Sequence, residues 1–178
     1  MNKKKQGLLI VHTGNGKGKT TAALGLAVRA WGQGLKILIL QFIKGNWKYG
    51  ELKALEKFAP NLMIEQAGEG FVKQAEGEEK SKHIEVAQNT FWRAKKEVVS
   101  AEWDMVILDE LNYAVKFGLI EKEAVLELVK TKPESLHLVI TGRDAIPELI
   151  EVADLVTEMK EVKHPYKKGI KAQRGVEF

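Results

Sequence analysis

Between an apolar run, Leu8-Leu9-Ile10-Val11, and an amphipathic run, Ala22 to Trp31, lies Thr13-Gly14-Asn15-Gly16-Lys17-Gly18-Lys19-Thr20-Thr21. No other stretch restricts so strongly what the chain can fold into. A strand that turns through glycines straight into a helix is the setting in which successive backbone N–H groups wrap around phosphate oxygens. Glycines allow the curl because they carry no Cβ to clash. The helix that starts near Lys19 adds the positive end of its dipole. Lys19 supplies a mobile cation for bridging phosphate oxygens, and the Thr20 hydroxyl is a ligand type suited to Mg²⁺. The general pattern has glycine in the first position, where this chain has Thr13. Three glycines alternating with Lys17 and Lys19, then two threonines, still point to nucleoside triphosphate binding rather than an ordinary glycine turn. The expected contacts are Gly14, Asn15, Gly16, Lys17, Gly18, Lys19, Thr20 and Thr21.

Further apolar runs recur along the chain. Strands are expected at 8–12, 36–42, 62–65, 105–108, 137–141 and 155–159. Near-continuous Val, Ile and Leu suit strands buried on both faces, as in a parallel sheet. Ala23, Leu26, Ala27 and Ala30 share one helical face after the glycine turn. Ile84, Ala87, Phe91, Ala94 and Val98 form a stripe spaced three and four apart, which makes Phe91 a core residue. Val125, Leu128 and Val129 mark another helix, and Pro147 to Val152 a short one with Asp144 as its cap. Strands alternating with helices imply an α/β fold, a three-layer parallel sheet with right-handed crossovers. One domain over residues 1–178 is expected, without repeats or linkers. Residues 68–81 are polar and glycine-containing and read as a loop. The segment 162–178 carries Lys163, Lys167, Lys168, Lys171 and Arg174 and reads as a basic, irregular ending.

Met105-Val106-Ile107-Leu108-Asp109-Glu110 is an apolar strand closing on two carboxylates. On a strand adjacent to the phosphate loop, that end brings a carboxylate near Thr20 and its metal. Mg²⁺ takes oxygen ligands and keeps several waters, so one or two carboxylates suffice. Ile140-Thr141-Gly142-Arg143 is a second such strand end. Arg143 there is either a fork for polyphosphate oxygens or a surface residue at a turn. The four histidines have no metal-ligand spacing; His12 is expected to be packed, and His83 and His137 structural or exposed.

The absence of cysteine excludes disulfides, thiolate metal sites and a cysteine nucleophile, and agrees with a reducing cytosol. A net charge of +4 is too small to demand a nucleic-acid partner, since nucleotide alone would answer it. Lys3 to Lys5 are followed by too short an apolar run for an export signal. Nothing approaches the roughly 20 apolar residues of a membrane span.

The chain resembles the phosphate-loop class of ATP:corrinoid adenosyltransferases, which serve cobalamin synthesis and salvage. The resemblance runs through the loop Thr13 to Ala23, then Gln41-Phe42-Ile43-Lys44-Gly45, Gly50-Glu51-Leu52 and Gly68-Glu69-Gly70-Phe71. It continues in Val106 to Leu111, Ile140 to Arg143, Val162 to Pro165 and Gly169 to Phe178. Thr13 at the first loop position is similar to that family's own version.

The resemblance implies a reaction in which Co(I) of a corrinoid attacks the 5′ carbon of ATP and inorganic triphosphate leaves. It implies that ATP lies in the loop in reverse of the usual direction. Lys19 and Arg143 would stabilise the departing triphosphate. Thr20 with Glu110, or alternatively Asp109, would hold Mg²⁺, Glu110 being favoured as the acid that partners Thr20. Phe71 would pack on the corrin and help displace its lower axial ligand. A tryptophan two positions on is part of the family pattern, where this chain has Lys73. Trp47, Trp92 and Trp103 are the residues available to compensate. The longer N-terminal helix that covers the site in relatives has only Met1 to Gly7 in its place here. A homodimer, a flavodoxin-like electron-donor protein and a cytoplasmic setting belong to the same picture. Two other readings compete: an NTP-hydrolysing motor or switch, possible on nucleic acid, and a nucleotide-binding regulatory module without chemistry.

Overall fold

The computed structural model describes residues 6–43, 49–67 and 77–177. Six strands form one sheet in the order β3-β2-β4-β5-β1-β6. They are β1 Leu9–Thr13, β2 Ile37–Gln41, β3 Leu62–Gln66, β4 Met105–Asp109, β5 His137–Thr141 and β6 Leu155–Glu158. All their pairings are parallel. The helices are α1 Lys19–Gly32, α2 Gly50–Leu55, α3 Gly77–Val99, α4 Leu111–Lys116, α5 Lys122–Thr131 and α6 Pro147–Val152.

The three layers follow from the period of two along each central strand. Ile10, Ile37, Ile39, Met105, Ile107 and Val139 face one side, where Ala23, Ala27 and Ala30 of α1 and Leu55 of α2 cover them. Small alanines let α1 lie close to the sheet. Leu9, Val11, Leu38, Leu40, Val106, Leu108, Leu138 and Ile140 face the other side, packed under α3, α4, α5 and α6. Phe91 sits in that second core as expected. At the edge, β6 keeps Leu155 and Val156 partly exposed.

Several expectations need correcting. Residues 77–81 belong to the first turns of α3, not to a loop; they are exposed and polar and extend the helix ahead of its buried stripe, with Glu78 and Glu79 in the first turn, where acids suit the helix dipole. Asp144 is not the cap of α6: the N-cap is Ile146, Pro147 begins the helix, and Asp144 pairs with Lys116 at 2.5 Å. Trp92 is exposed on α3 beneath the Lys96 ammonium, while Trp103 leans on the core and donates its Nε1–H to Glu97. Most important, β4 is not adjacent to β1; β5 lies between them.

His12 is buried on β1, and its Nδ1 has no partner among the described residues. Burial holds its imidazole below the usual histidine range. The unfolded chain takes up a proton near pH ~6.5 that the folded chain refuses, so stability drops as pH falls through that region. His12→Gln is expected to flatten the decline of Tm between roughly pH 7 and pH 5. An unchanged slope would clear His12 as its cause.

Candidate active site

The carboxyl ends of the strands converge on α1. At the turn between β1 and α1, Gly18 adopts φ 107° and serves as the helix N-cap, a backbone state open to glycine. Lys19 is buried as a residue, and its ammonium donates to the carbonyls of Gly14 (2.8 Å) and Gly16 (2.7 Å). It therefore lies across the loop that it would share with phosphate. Burial lowers the Lys19 pKa, Arg143 acts in the same direction, and Glu110, Asp109 and Asp144 oppose it.

The loop rests on the chain after β6. Gly16 N–H donates to the Met159 carbonyl at 2.6 Å, and Met159 N–H to the Thr13 carbonyl at 2.8 Å. Not every loop amide is therefore turned toward phosphate: that of Gly16 is spent on Met159. A Cβ on Gly16 would stand 2.7 Å from the Met159 carbonyl oxygen and 2.8 Å from Lys160 backbone carbon. Since backbone cannot swing aside as a side-chain tip can, Gly16→Ala is expected to open the loop and weaken ATP binding at least about tenfold, a loss near 1.4 kcal/mol. Titration with a fluorescent ATP derivative checks this, and undiminished affinity would refute the packing argument.

The acid beside Thr20 is the alternative of the two expected, not the favoured one. Asp109, not Glu110, meets Thr20: the Thr20 hydroxyl donates to Asp109 Oδ1 at 2.9 Å. The Thr141 hydroxyl donates to the same oxygen at 2.7 Å, and Gln41 Nε2 donates to Oδ2 at 3.0 Å. An uncompensated buried carboxylate costs several kcal/mol. Hydrogen bonds to a charged group contribute about 1.5–3 kcal/mol each, so three donors offset a cost of that size. Thr141, from the intervening β5, spans the gap between β1 and β4. It also accepts the Glu110 N–H at 3.0 Å.

Glu110 leaves β4 with φ 64°, left-handed backbone that costs a non-glycine residue of order 1–3 kcal/mol. That turn moves its side chain away from the Asp109 position to the wall of an open cleft of about 1140 Å³. Gly16 to Thr21 and Arg143 line the same cleft, together with Tyr49, Tyr113, Lys116 and Phe117. Gly14 and Asn15 do not line it. Gly142, at φ 129°, allows the turn before Arg143 to lie against Asn112 and the Tyr113 backbone, where a Cβ would stand 2.9 Å away.

The C-terminal segment also reaches the cleft, through Pro165, Gly175, Val176 and Glu177. Glu177 pairs with Lys17 at 2.6 Å, so the Lys17 ammonium is held by the ending of the chain. The segment is irregular as expected, apart from one 3₁₀ turn, Pro165–Lys168. Phe71, Lys73 and Trp47 lie outside the described residues. Neither Trp92 nor Trp103 lines the cleft.

Sequence reasoning overlooked Gln41 and Thr141 as holders of the carboxylate. One signal was available: each is a polar residue closing an otherwise apolar strand, Ile37 to Leu40 and Leu138 to Ile140. The backbone of Met159 and Lys160 beneath the loop had no signal, because any residue offers the same carbonyl.

A glycine turn feeding a helix, its lysine and threonine, and an acid at a nearby strand end define a phosphate-loop nucleotide-binding protein. The chain belongs to the family described as ATP:corrinoid adenosyltransferase BtuR/CobO/CobP, which matches residues 5–178. It is 43% identical over 173 residues to the corrinoid adenosyltransferase of Pseudomonas aeruginosa, spanning 97% of this chain and 84% of that one. The corrinoid adenosyltransferase of Sinorhizobium sp is 42% identical over 175 residues, 97% of this chain and 81% of that one. That of Escherichia coli strain K12 is 39% identical over 173 residues, with 97% and 86% covered. The chain is thus an ATP-dependent adenosyltransferase acting on a corrinoid, and neither the motor reading nor the regulatory one is favoured. No helix among the described residues is long and apolar enough to cross a membrane.

Proposed function

We propose that the reaction is a displacement at the 5′ carbon of ATP. The Co(I) electron pair of the corrinoid forms the Co–C bond, the C5′–O bond breaks, and inorganic triphosphate departs with that bond's electrons. The nucleophile is the substrate's own metal, so the protein needs none. Its work is to hold the reacting atoms in line and to stabilise charge on the leaving group. The observation that carries this reading is the Lys19 ammonium lying across the phosphate loop inside a cleft shared with Arg143.

Lys19 and Arg143 are assigned to the triphosphate oxygens, and the N–H groups of the loop from Lys17 to Thr21 to the same anion. The donor set near Thr20 fits Mg²⁺. Among the described residues no three His, Cys, Asp or Glu side chains converge, as a closed cage would need. Mg²⁺ instead binds through one or two protein oxygens plus phosphate and water. Because the Thr20 proton is directed to Asp109, the lone pairs of its hydroxyl are available to a cation. Thr20 and Glu110 would be its protein ligands, with Asp109 orienting Thr20. When bound, the ion would supply positive charge beside the leaving phosphates.

Identification of the phosphorus product tests the reading. With reduced corrinoid, ATP should yield triphosphate; orthophosphate would overturn it. Phe71 is proposed to cover the lower face of the corrin. Phe71→Ala should slow adenosylation when Co(II) must be reduced on the enzyme, and matter far less with Co(I) supplied. Parallel losses in the two assays would remove that role. The same reading includes a homodimer, a flavodoxin-like electron donor and a cytoplasmic setting. Sedimentation and reduction by purified flavodoxin check the first two.

A further inference from the structure

We propose that Gln41 is a positioning residue that fixes the plane of the Asp109 carboxylate and, through it, the Thr20 hydroxyl. The inference rests on the assignment of Thr20 as an Mg²⁺ ligand and goes beyond it.

Gln41 closes the apolar strand Ile37 to Leu40 and is fully buried. An amide in such a place carries a desolvation cost that only a hydrogen bond offsets. Its register partner on β4 is Asp109. Nε2 donates to Asp109 Oδ2 at 3.0 Å. Both hydroxyl donors, from Thr20 and Thr141, meet the other oxygen, Oδ1.

The geometry of that division matters. The terminal torsion of an aspartate is broad, so covalent structure alone does not hold its carboxylate plane. Because the carboxylate is planar, the two hydroxyls on Oδ1 already restrain that torsion, but from one side only. The Gln41 amide on Oδ2 restrains it from the other. The amide is also oriented: turned over, it would set its oxygen against a carboxylate oxygen. On the other side, the register partner of Gln41 is Gln66 of β3. Gln41 Oε1 and Gln66 Nε2 are buried and have no partner among the described residues. One accepts and the other donates, but no hydrogen bond joins them, so the side-chain bond of the Gln41 amide is the one to Asp109.

The test uses the full chain and a fluorescent ATP derivative without corrinoid, titrated with Mg²⁺. Gln41→Met keeps length and volume and removes the donor. It is expected to raise the Mg²⁺ midpoint about tenfold, the low end for loss of a partner behind a metal ligand. In an Asp109→Asn background the same substitution should change the midpoint less than about twofold, because coupled residues are not additive. Tm is followed in each variant. Gln41→Asn, which keeps the amide but is one methylene too short, serves if the methionine variant does not fold. An unchanged midpoint in a folded Gln41 variant overturns the proposal, and so does full additivity with Asp109→Asn. If Asp109→Asn itself leaves the midpoint unchanged, the Mg²⁺ assignment at Thr20 fails instead, and this inference with it.

Discussion

Lys19→Ala is expected to lower turnover by about 10²–10³-fold at saturating ATP, the usual loss when one oriented charge-stabilising group is removed. The lysine lies across the loop, donating to the Gly14 and Gly16 carbonyls, where the departing triphosphate would take over its donors. Burial disfavours its charged form, which offsets part of what its two hydrogen bonds add to the fold. The variant should therefore fold with little loss of Tm while losing rate. Single-turnover adenosylation beside a thermal melt checks both halves. Near-wild-type turnover would sink the assignment of Lys19, and a collapse of Tm would show the rate loss to be structural.

Asp109→Asn is expected to raise the Mg²⁺ requirement for ATP binding by about 10–100-fold. Asparagine keeps an oxygen for the Thr20 and Thr141 hydroxyls but sets an NH₂ against the Gln41 amide, and removes the charge. Glu110→Gln should raise the requirement as well, by a separate route, since Glu110 lines the cleft itself. The two substitutions are accordingly expected to add. Thr20→Val and Asp109→Asn should not, because Asp109 acts through Thr20. Additivity between Thr20 and Asp109 would mean that their 2.9 Å hydrogen bond has no part in holding the metal.

Local signals carried the elements with long, regular patterns. The stripe from Ile84 to Val98 is one face of α3, and the six apolar runs are the six strands. Shorter helices were missed. Helices α2 and α4 each span six residues, too few for a periodic stripe to emerge. Their helicity comes from packing, Leu55 against one core and Leu111 and Ala114 against the other. Asp144 had the chemistry of a cap, but the turn after Gly142 carries it to Lys116 instead.

By itself the sequence determined whatever is contiguous. The phosphate loop is one unbroken stretch, and glycine spacing, lysine and threonine state its chemistry without a fold. The parallel α/β class followed from apolar runs alternating with helical stripes. Tertiary structure decided which strand ends meet. The Asp109 carboxylate is held by Thr20 of α1, Gln41 of β2 and Thr141 of β5, residues far apart in the chain. That meeting depends on strand order and register, which arise from packing of whole layers and leave no trace in local spacing. The choice of Asp109 over Glu110 beside Thr20 has the same origin. One acid is the last residue of β4, facing the same side as Gln41, while the other has turned out of the strand at φ 64°.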